Sequence, residues 1–104
     1  MIDLFVPAAI KRLVVYPTPI DTRWGSDRLR AESERALGGK LDHATAVLFH
    51  NRTRDRLVLY SLDSDGDRCF TKKLERGVFL LPVPAAGRKY VVLAPAKIGT
   101  LFRS

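Results

Sequence analysis

Short apolar runs separated by turn-forming residues dominate the hydrophobic pattern of this chain, and they predict strands. The runs are LVVY at residues 13–16, TAVLFHN at 45–51, RLVLYSL at 56–62, RCFTKKLE at 68–75, VFLLPV at 78–83 and KYVVLA at 89–94. Turn signals recur between them every 8–16 residues, a spacing typical of consecutive antiparallel strands. The pattern therefore predicts a mainly antiparallel sheet of about five strands.

One segment follows a helical period instead. The stretch SDRLRAESERALGG predicts a helix over residues 26–37, with Ser26 as its N-cap and Gly38 at the left-handed position after its end. Its apolar stripe is narrow and consists of Leu29, Ser33, Ala36 and Leu37. Pro95 suits the first turn of a possible short C-terminal helix. These elements indicate an α+β fold in a single domain, residues 1–104.

The acidic stretch DSDGD, residues 63–67, raises the question of a metal site. A calcium loop of the EF-hand type needs glycine at its sixth position and glutamate at its twelfth. Counted from Asp63, the glycine stands at position 4 and Leu74 stands at position 12. Aspartate and glycine are also preferred residues of tight turns. The stretch therefore predicts a turn between two strands, and we assign no metal ligand.

The runs LVLYSL and VFLLPV are apolar at successive positions rather than at alternate ones. This pattern predicts strands that are covered on both faces of the sheet. One amphipathic helix can cover only one face, so the other face needs the terminal segments of the chain or a second subunit. The pattern thus leaves a homo-oligomer open.

Composition narrows the class of protein. Of the 104 residues, 46% are hydrophobic and 28% are charged, a balance typical of one globular domain. The apolar N-terminal stretch is broken by Asp3 and Pro7, and positive charge follows it rather than leading it, unlike a signal peptide. With one cysteine and no apolar segment of membrane-spanning length, the chain fits the cytoplasm.

The residues that catalysis or metal binding would need are isolated from one another. Cys69 lies in a predicted strand without an activating partner, which predicts a buried, unreactive thiol. His43 and His50 have no second ligand at metal-binding spacing. The sequence contains no glycine-rich phosphate loop and no nucleophile motif. We therefore expect no enzyme, no catalytic residue and no cofactor. A small metal-dependent nuclease built on the acidic turn is the remote alternative.

Positive charge is concentrated in the second half of the chain. The net charge is +7, and residues 50–104 hold eleven lysines and arginines against five acids. Two clusters adjoin predicted turns: Arg52, Arg54 and Arg56 in NRTRDR, and Lys72, Lys73 and Arg76 in KKLERG. In an extended chain the three arginines would share one side and meet successive phosphates. The alternative is that these residues are simply solvated, and that Lys72 only extends its stem along apolar neighbours.

The same two clusters carry a resemblance to a known family. The runs FHNRTRDRLVLY (49–60) and FTKKLERGVF (70–79), with Asp63 and Gly66 between them, resemble the TnpB-like accessory protein of insertion sequence 66. The upstream stretch IDTRWGSDRL is similar to the family's N-terminal motif at Asp21, Arg23, Gly25, Asp27 and Leu29. The chain departs from the family pattern at Trp24, Ser26, Ser61 and Leu62, which indicates a divergent member.

The resemblance implies a non-catalytic bacterial protein that assists a separate transposase in moving the element. It adds Arg23, in the loop before the helix, to the six clustered cations as contacts to DNA phosphates or to an acidic transposase surface. The implied partners are DNA at the element ends, the cognate transposase, or both, with no membrane and no small-molecule substrate. A second hypothesis is an adaptor that bridges transposase subunits through an apolar sheet face without contacting DNA.

Overall fold

The computed structural model describes residues 6–101 of the chain. Residues 1–5, which begin the stretch compared above with a signal peptide, lie outside the described part. The elements in chain order are β1 (Arg12–Val15), α1 (Ser26–Leu37), β2 (Thr45–His50), β3 (Arg56–Asp63), β4 (Gly66–Lys73), β5 (Val91–Leu93) and a 3₁₀-helix (Pro95–Leu101). The α+β class with a sheet of five strands and one α-helix is confirmed.

The strands form one mixed sheet in the order β4-β3-β2-β1-β5. The pairs β2–β3, β3–β4 and β1–β5 are antiparallel, so the expectation of a mainly antiparallel sheet is confirmed. The pair β1–β2 is parallel, with Leu13 opposite Ala46. A parallel pair needs a long crossover connection, usually a helix, and α1 supplies it. The simple antiparallel succession predicted by the turn spacing is therefore wrong at this one pair.

Both faces of the sheet are buried, which explains the unbroken apolar runs. On one face, Val47, Val58 and Tyr60 belong to a core cluster with Leu29 of α1. On the other face, Leu48 and Leu57 belong to a second cluster with Phe79. That second cluster also contacts Val6, Leu81 and Ile98, from the terminal segments of the same chain. The second face of the sheet is thus covered by segments of the same chain, so its burial does not require a second subunit.

The segment VFLLPV packs on the sheet as an irregular connection, so the predicted strand at residues 78–83 is wrong. Only Phe79 forms a single bridge, and its side chain is fully buried. Pro82 and the following Pro84 lack the N–H that a strand ladder needs. Val83 between them is 85% exposed. The segment is apolar because Phe79 and Leu81 cover the sheet, and not because the chain continues the sheet.

The helix bounds at residues 26 and 37 are confirmed, whereas its N-cap differs by one residue. Gly25 is the N-cap and no side chain caps the helix there, so the assignment of Ser26 is wrong. At the other end Gly38 has φ 74° and donates its N–H to the carbonyl oxygens of Glu34 and Arg35. The C-terminal helix is a 3₁₀-helix only.

The DSDGD stretch forms the predicted turn between β3 and β4. Asp63 accepts hydrogen bonds from the backbone N–H groups of Asp65 at 2.9 Å and Gly66 at 2.8 Å. Its other carboxylate oxygen accepts from Nε of Arg68 at 2.8 Å, and this bond is the main cause of the lowered pKa of Asp63. The carboxylate is therefore occupied in holding the turn.

Cys69 corrects another expectation, because it is exposed on β4 rather than buried. Partial desolvation by neighbouring atoms nevertheless raises the pKa of its thiol.

Candidate nucleic-acid interface

One end of the sheet gathers the positively charged residues singled out in the sequence. The strand β2 ends at His50, β3 begins at Arg56 and β4 ends at Lys73, so these residues share that end. The segment after β4 is joined to the loop before β3, because the N–H of Leu74 donates to the carbonyl oxygen of Asp55 at 2.7 Å. A second bond of 2.7 Å runs from the N–H of Phe79 to the carbonyl oxygen of Arg54.

The loop before α1 reaches the same end. The N–H of Ile20 donates to the carbonyl oxygen of His50 at 2.8 Å. Nη1 of Arg56 lies 3.3 Å from Oγ1 of Thr22, directly before Arg23. All seven predicted contact residues therefore lie at one end of the sheet, which we call the basic end. Its members are Arg23, Arg52, Arg54, Arg56, Lys72, Lys73 and Arg76.

A framework of side-chain hydrogen bonds holds the loop between β2 and β3. Oδ1 of Asn51 accepts hydrogen bonds from the N–H groups of Asp55 and Arg56, each at 3.1 Å. Nδ2 of Asn51 donates to Oδ1 of Asp55 at 2.6 Å. Oγ1 of Thr53 donates to the same oxygen at 2.8 Å. These bonds, that of Asn51 first, lower the pKa of Asp55, so the carboxylate stays ionised and the loop keeps one shape.

Sequence reasoning missed this framework, although a signal was present. Asn51, Thr53 and Asp55 alternate with the arginines along NRTRD, and asparagine, threonine and aspartate are residues that hydrogen-bond their own backbone in turns.

The loop presents its two arginines to solvent. Arg52 and Arg54 are exposed, while Asn51 and Asp55 are half-buried. Arg54 has φ 58°, the only positive value of a non-glycine residue in the described chain. Residues 52–55 turn, so the arrangement in which an extended chain would place Arg52, Arg54 and Arg56 on one side does not occur. The side chains reach the same end of the sheet through a turn instead.

Two further cations face each other across neighbouring strands. Arg56 on β3 lies opposite Lys73 on β4. Like charges placed directly opposite in a sheet destabilise it, so the fold tolerates an unfavourable contact here. Lys72 is half-buried and lies opposite Leu57, on the other face. Its position fits a stem extended along apolar neighbours with an ammonium group in water.

Arg23 differs from the other members because it is engaged in an ion pair. Its Nη2 lies 2.8 Å from Oδ2 of Asp21, and its Nε lies 3.0 Å from Oδ1. These hydrogen bonds lower the pKa of Asp21 to about 2. The arginine side chain is nevertheless 88% exposed. It adds donors to the basic end but little net charge.

The comparison with known families decides the identity. A family model described as IS66 Orf2-like protein matches residues 11–104. The chain belongs to this family. It is therefore an accessory Orf2-like protein of an insertion sequence, as the resemblance in the sequence predicted. No curated protein and no solved structure matches it.

Ion pairing in this IS66 Orf2-like protein lies mostly away from the basic end. In the described part of the chain, five arginines lie within 4.0 Å of a carboxylate, namely Arg12, Arg23, Arg30, Arg35 and Arg68. Only Arg23 belongs to the basic end. The other six members make no such pair within residues 6–101.

Two polar side chains of this IS66 Orf2-like protein join neighbouring elements. His50 is buried, and its Nε2 donates to the carbonyl oxygen of Tyr16 at 2.9 Å. Tyr16 itself donates to Glu32 of α1 at 2.6 Å, and burial is the main cause of its raised pKa. Among residues 6–101, no group of three or more His, Cys, Asp or Glu side chains is arranged to hold a metal ion. The same residues include no helix long and apolar enough to cross a membrane.

Proposed function

We propose that this IS66 Orf2-like protein binds DNA phosphates through its basic end while a separate transposase carries out the chemistry of transposition. The observation that supports the proposal is the convergence of seven cations from three separate segments at one end of the sheet, six of them without an ion pair in residues 6–101. Guanidinium and ammonium groups are the donors that phosphate oxygens prefer.

Preorganisation supports the same conclusion. The NRTRD loop is held by side-chain hydrogen bonds of 2.6 to 3.1 Å, so Arg52 and Arg54 lose little backbone freedom when they bind. Arg54 also has a left-handed backbone conformation, and strained residues of this kind cluster at functional sites. Neither the hydrogen-bonded framework nor the left-handed conformation of Arg54 is expected in a loop whose arginines are only solvated.

The test is a titration of a fluorescein-labelled DNA duplex that carries an end of the element, followed by fluorescence anisotropy at several salt concentrations. Each phosphate contact contributes about 0.9 to the slope of log K against log salt. We expect a steep loss of affinity with salt in the unchanged protein. Replacing Arg52, Arg54 and Arg56 by Ala should reduce that slope by about 2 to 3.

Two exposed lysines at the opposite end of the sheet provide the matched control. Lys11 and Lys40 are exposed and stand before β1 and after α1. Their double replacement by Ala lowers the net charge without changing the basic end, and we expect it to leave the slope nearly unchanged. A loss in the lysine variant of about two thirds of that in the arginine variant, in proportion to the charges removed, would show that only net charge matters. No binding at low salt by the unchanged protein would refute the proposal.

A second candidate function is that of an adaptor for the transposase. The sequence suggested an apolar sheet face for this role. Both faces of the sheet are covered within the chain, so an adaptor would need another surface. Leu80 is 42% exposed and Val83 is 85% exposed, in the same irregular segment. If they contact the transposase, replacing both by Ser should abolish co-purification with the cognate transposase and leave the DNA titration unchanged.

A further inference from the structure

The strand β4 is an open edge of the sheet. It is the last strand in the order β4-β3-β2-β1-β5 and spans eight residues, whereas β5 at the other edge has three. Six of its eight residues are exposed. Within residues 6–101, no backbone hydrogen bond reaches its outer side. Such an edge is a template for a further strand.

The register shows which backbone groups face outward. The N–H of Leu74 donates to the carbonyl oxygen of Asp55, one position beyond the pair Arg56–Lys73. In an antiparallel pair, hydrogen-bonded and non-hydrogen-bonded positions alternate. The positions that turn their backbone groups toward β3 are therefore 66, 68, 70 and 72. Those that turn them away from the sheet are Asp67, Cys69, Thr71 and Lys73.

The charges along this edge are complementary to themselves in one arrangement. Asp65 lies in the turn directly before the strand and Asp67 at its start, while Lys72 and Lys73 lie at its end. Antiparallel pairing of two copies brings the acidic start of each against the basic end of the other. Parallel pairing would bring like charges together.

Among the antiparallel registers, one pairs all of residues 65–73 without placing like charges opposite each other. With Cys69 opposite the second copy's Cys69, Asp65 faces Lys73 and Arg68 faces Phe70. Shifting by one pair, so that Phe70 faces Phe70, sets Arg68 against Lys72, and this contact is unfavourable. The sequence of the edge thus favours a two-fold axis at Cys69.

We propose that a second copy of this chain pairs with β4 in antiparallel orientation, around a two-fold axis at Cys69, so that one sheet continues through both copies. The occupant is a second copy because the charge pattern complements itself. Since pairing along one strand buries little surface, we expect a reversible dimer with a dissociation constant of roughly 10 μM or weaker. Lys72 and Lys73 belong to both this edge and the basic end, so the test below measures the association state of the protein without DNA.

Thr71 separates this proposal from a merely structural role of β4. Its N–H points away from β3, so Thr71→Pro removes a bond that only a second copy uses, and proline is tolerated at such edge positions. Thr71→Ala keeps the N–H and is the matched control. Sedimentation velocity over a range of concentrations should show a dimer for the unchanged protein and for Thr71→Ala, and a monomer for Thr71→Pro.

Cys69 tests the register. Hydrogen-bonded antiparallel partners have Cα atoms about 5.5 Å apart, within the range that a disulfide spans. Diamide, which takes up the two thiol hydrogens as the S–S bond forms, should therefore cross-link the unchanged protein rapidly and Thr71→Pro slowly. Since Cys69 is the only cysteine, a cross-linked species can contain only this bond.

A charge exchange covers the case in which Thr71→Pro fails to fold. Lys73→Asp should weaken the dimer at least tenfold, and the double variant Asp65→Lys with Lys73→Asp should restore it. A monomer at all concentrations overturns the proposal. A monomer whose β4 edge binds an acidic peptide also overturns it, because the occupant is then not a second copy. A dimer that survives both Thr71→Pro and Lys73→Asp also overturns it, because the contact then lies elsewhere. DNA binding by any of these variants does not enter the decision.

Discussion

At the scale of single residues, the charged side chains of the basic end depend on neighbours that carry no net positive charge. Six of the seven cations could be predicted because they cluster along the sequence, and the family resemblance added Arg23. The turn-forming residues of NRTRD were a signal for Asn51, but the bonds that its amide makes depend on the geometry of the folded loop. Its amide meets Asp55 through both Oδ1 and Nδ2.

Replacing Asn51 by Ala should lower the free energy of unfolding by about 2 kcal/mol, since the backbone N–H groups of Asp55 and Arg56 lose their acceptor. The charge of the protein is unchanged, yet the affinity for the labelled duplex should fall several-fold as the loop loses its shape. Urea unfolding followed by the fluorescence of Trp24, the only tryptophan, measures the first effect. Thr53→Ala, which removes a single donor to Asp55, should cost about half as much. Unchanged stability in Asn51→Ala would contradict the framework.

Arg54 allows a separate test of backbone strain. A left-handed conformation costs an L-residue about 1 kcal/mol or more and costs glycine almost nothing. With φ 58° at this position, Arg54→Gly should be more stable than Arg54→Ala by about 1 kcal/mol. Both variants lose the same charge and keep the carbonyl oxygen that accepts from Phe79, so denaturant unfolding of the pair isolates the strain. Equal stability of the two would show that the loop relaxes.

At the scale of elements, local sequence patterns were sufficient to predict most helices, strands and turns, but not the pairing of strands that are distant in the chain. The helix bounds, the strands β2 and β3 and the turn after Asp63 follow from periodicity and turn residues nearby in the chain. The parallel pairing of β1 with β2 joins residues about thirty positions apart, which no local pattern encodes. The segment 78–83 was misassigned because burial on a sheet face and burial inside a strand select the same apolar side chains.

A side-chain cap at the N-terminus of α1 should increase the stability of the fold. Gly25 has φ −75° and ψ 170°, and no side chain caps the free N–H groups there. An added Cβ meets nothing within 4 Å. Gly25→Ser supplies a capping oxygen and restricts the unfolded chain, so it should raise the free energy of unfolding by about 0.5 to 1 kcal/mol. Thermal unfolding of Gly25→Ala, which adds the Cβ without the oxygen, separates the two contributions; a serine variant no more stable than the alanine variant would speak against capping.

At the scale of the whole molecule, acid should destabilise the fold. The pKa values of Asp21, Glu32, Asp42, Asp55 and Asp63 are lowered, chiefly by hydrogen bonds that their carboxylates accept. A carboxyl group whose pKa is lower in the folded state contributes stability above its unfolded pKa of about 4, and that stability is lost as the pH falls through the folded value. The unfolding temperature should therefore be level between about pH 7 and 5 and drop between about pH 4 and 2.

Asp55→Asn provides the control for this pH dependence, because it removes one of the five groups while keeping an oxygen that can accept from Asn51. Its unfolding temperature should fall less steeply with acid than that of the unchanged protein. A level profile down to about pH 3 in the unchanged protein would show that these bonds do not stabilise the fold.

The separation of charge along the strands has a consequence for encounter. Arg52, Arg54 and Arg76 lie at one end of β3 and β4, and the carboxylates of Asp63, Asp65 and Asp67 lie at the other. The free molecule thus has a permanent dipole moment that runs parallel to these strands. In the field of a negatively charged duplex, this dipole exerts a torque that turns the cationic pole forward before contact. Added salt shortens the range of that torque to about 10 Å at 0.1 M. Salt should therefore slow the association of the protein with the duplex more than it speeds their dissociation.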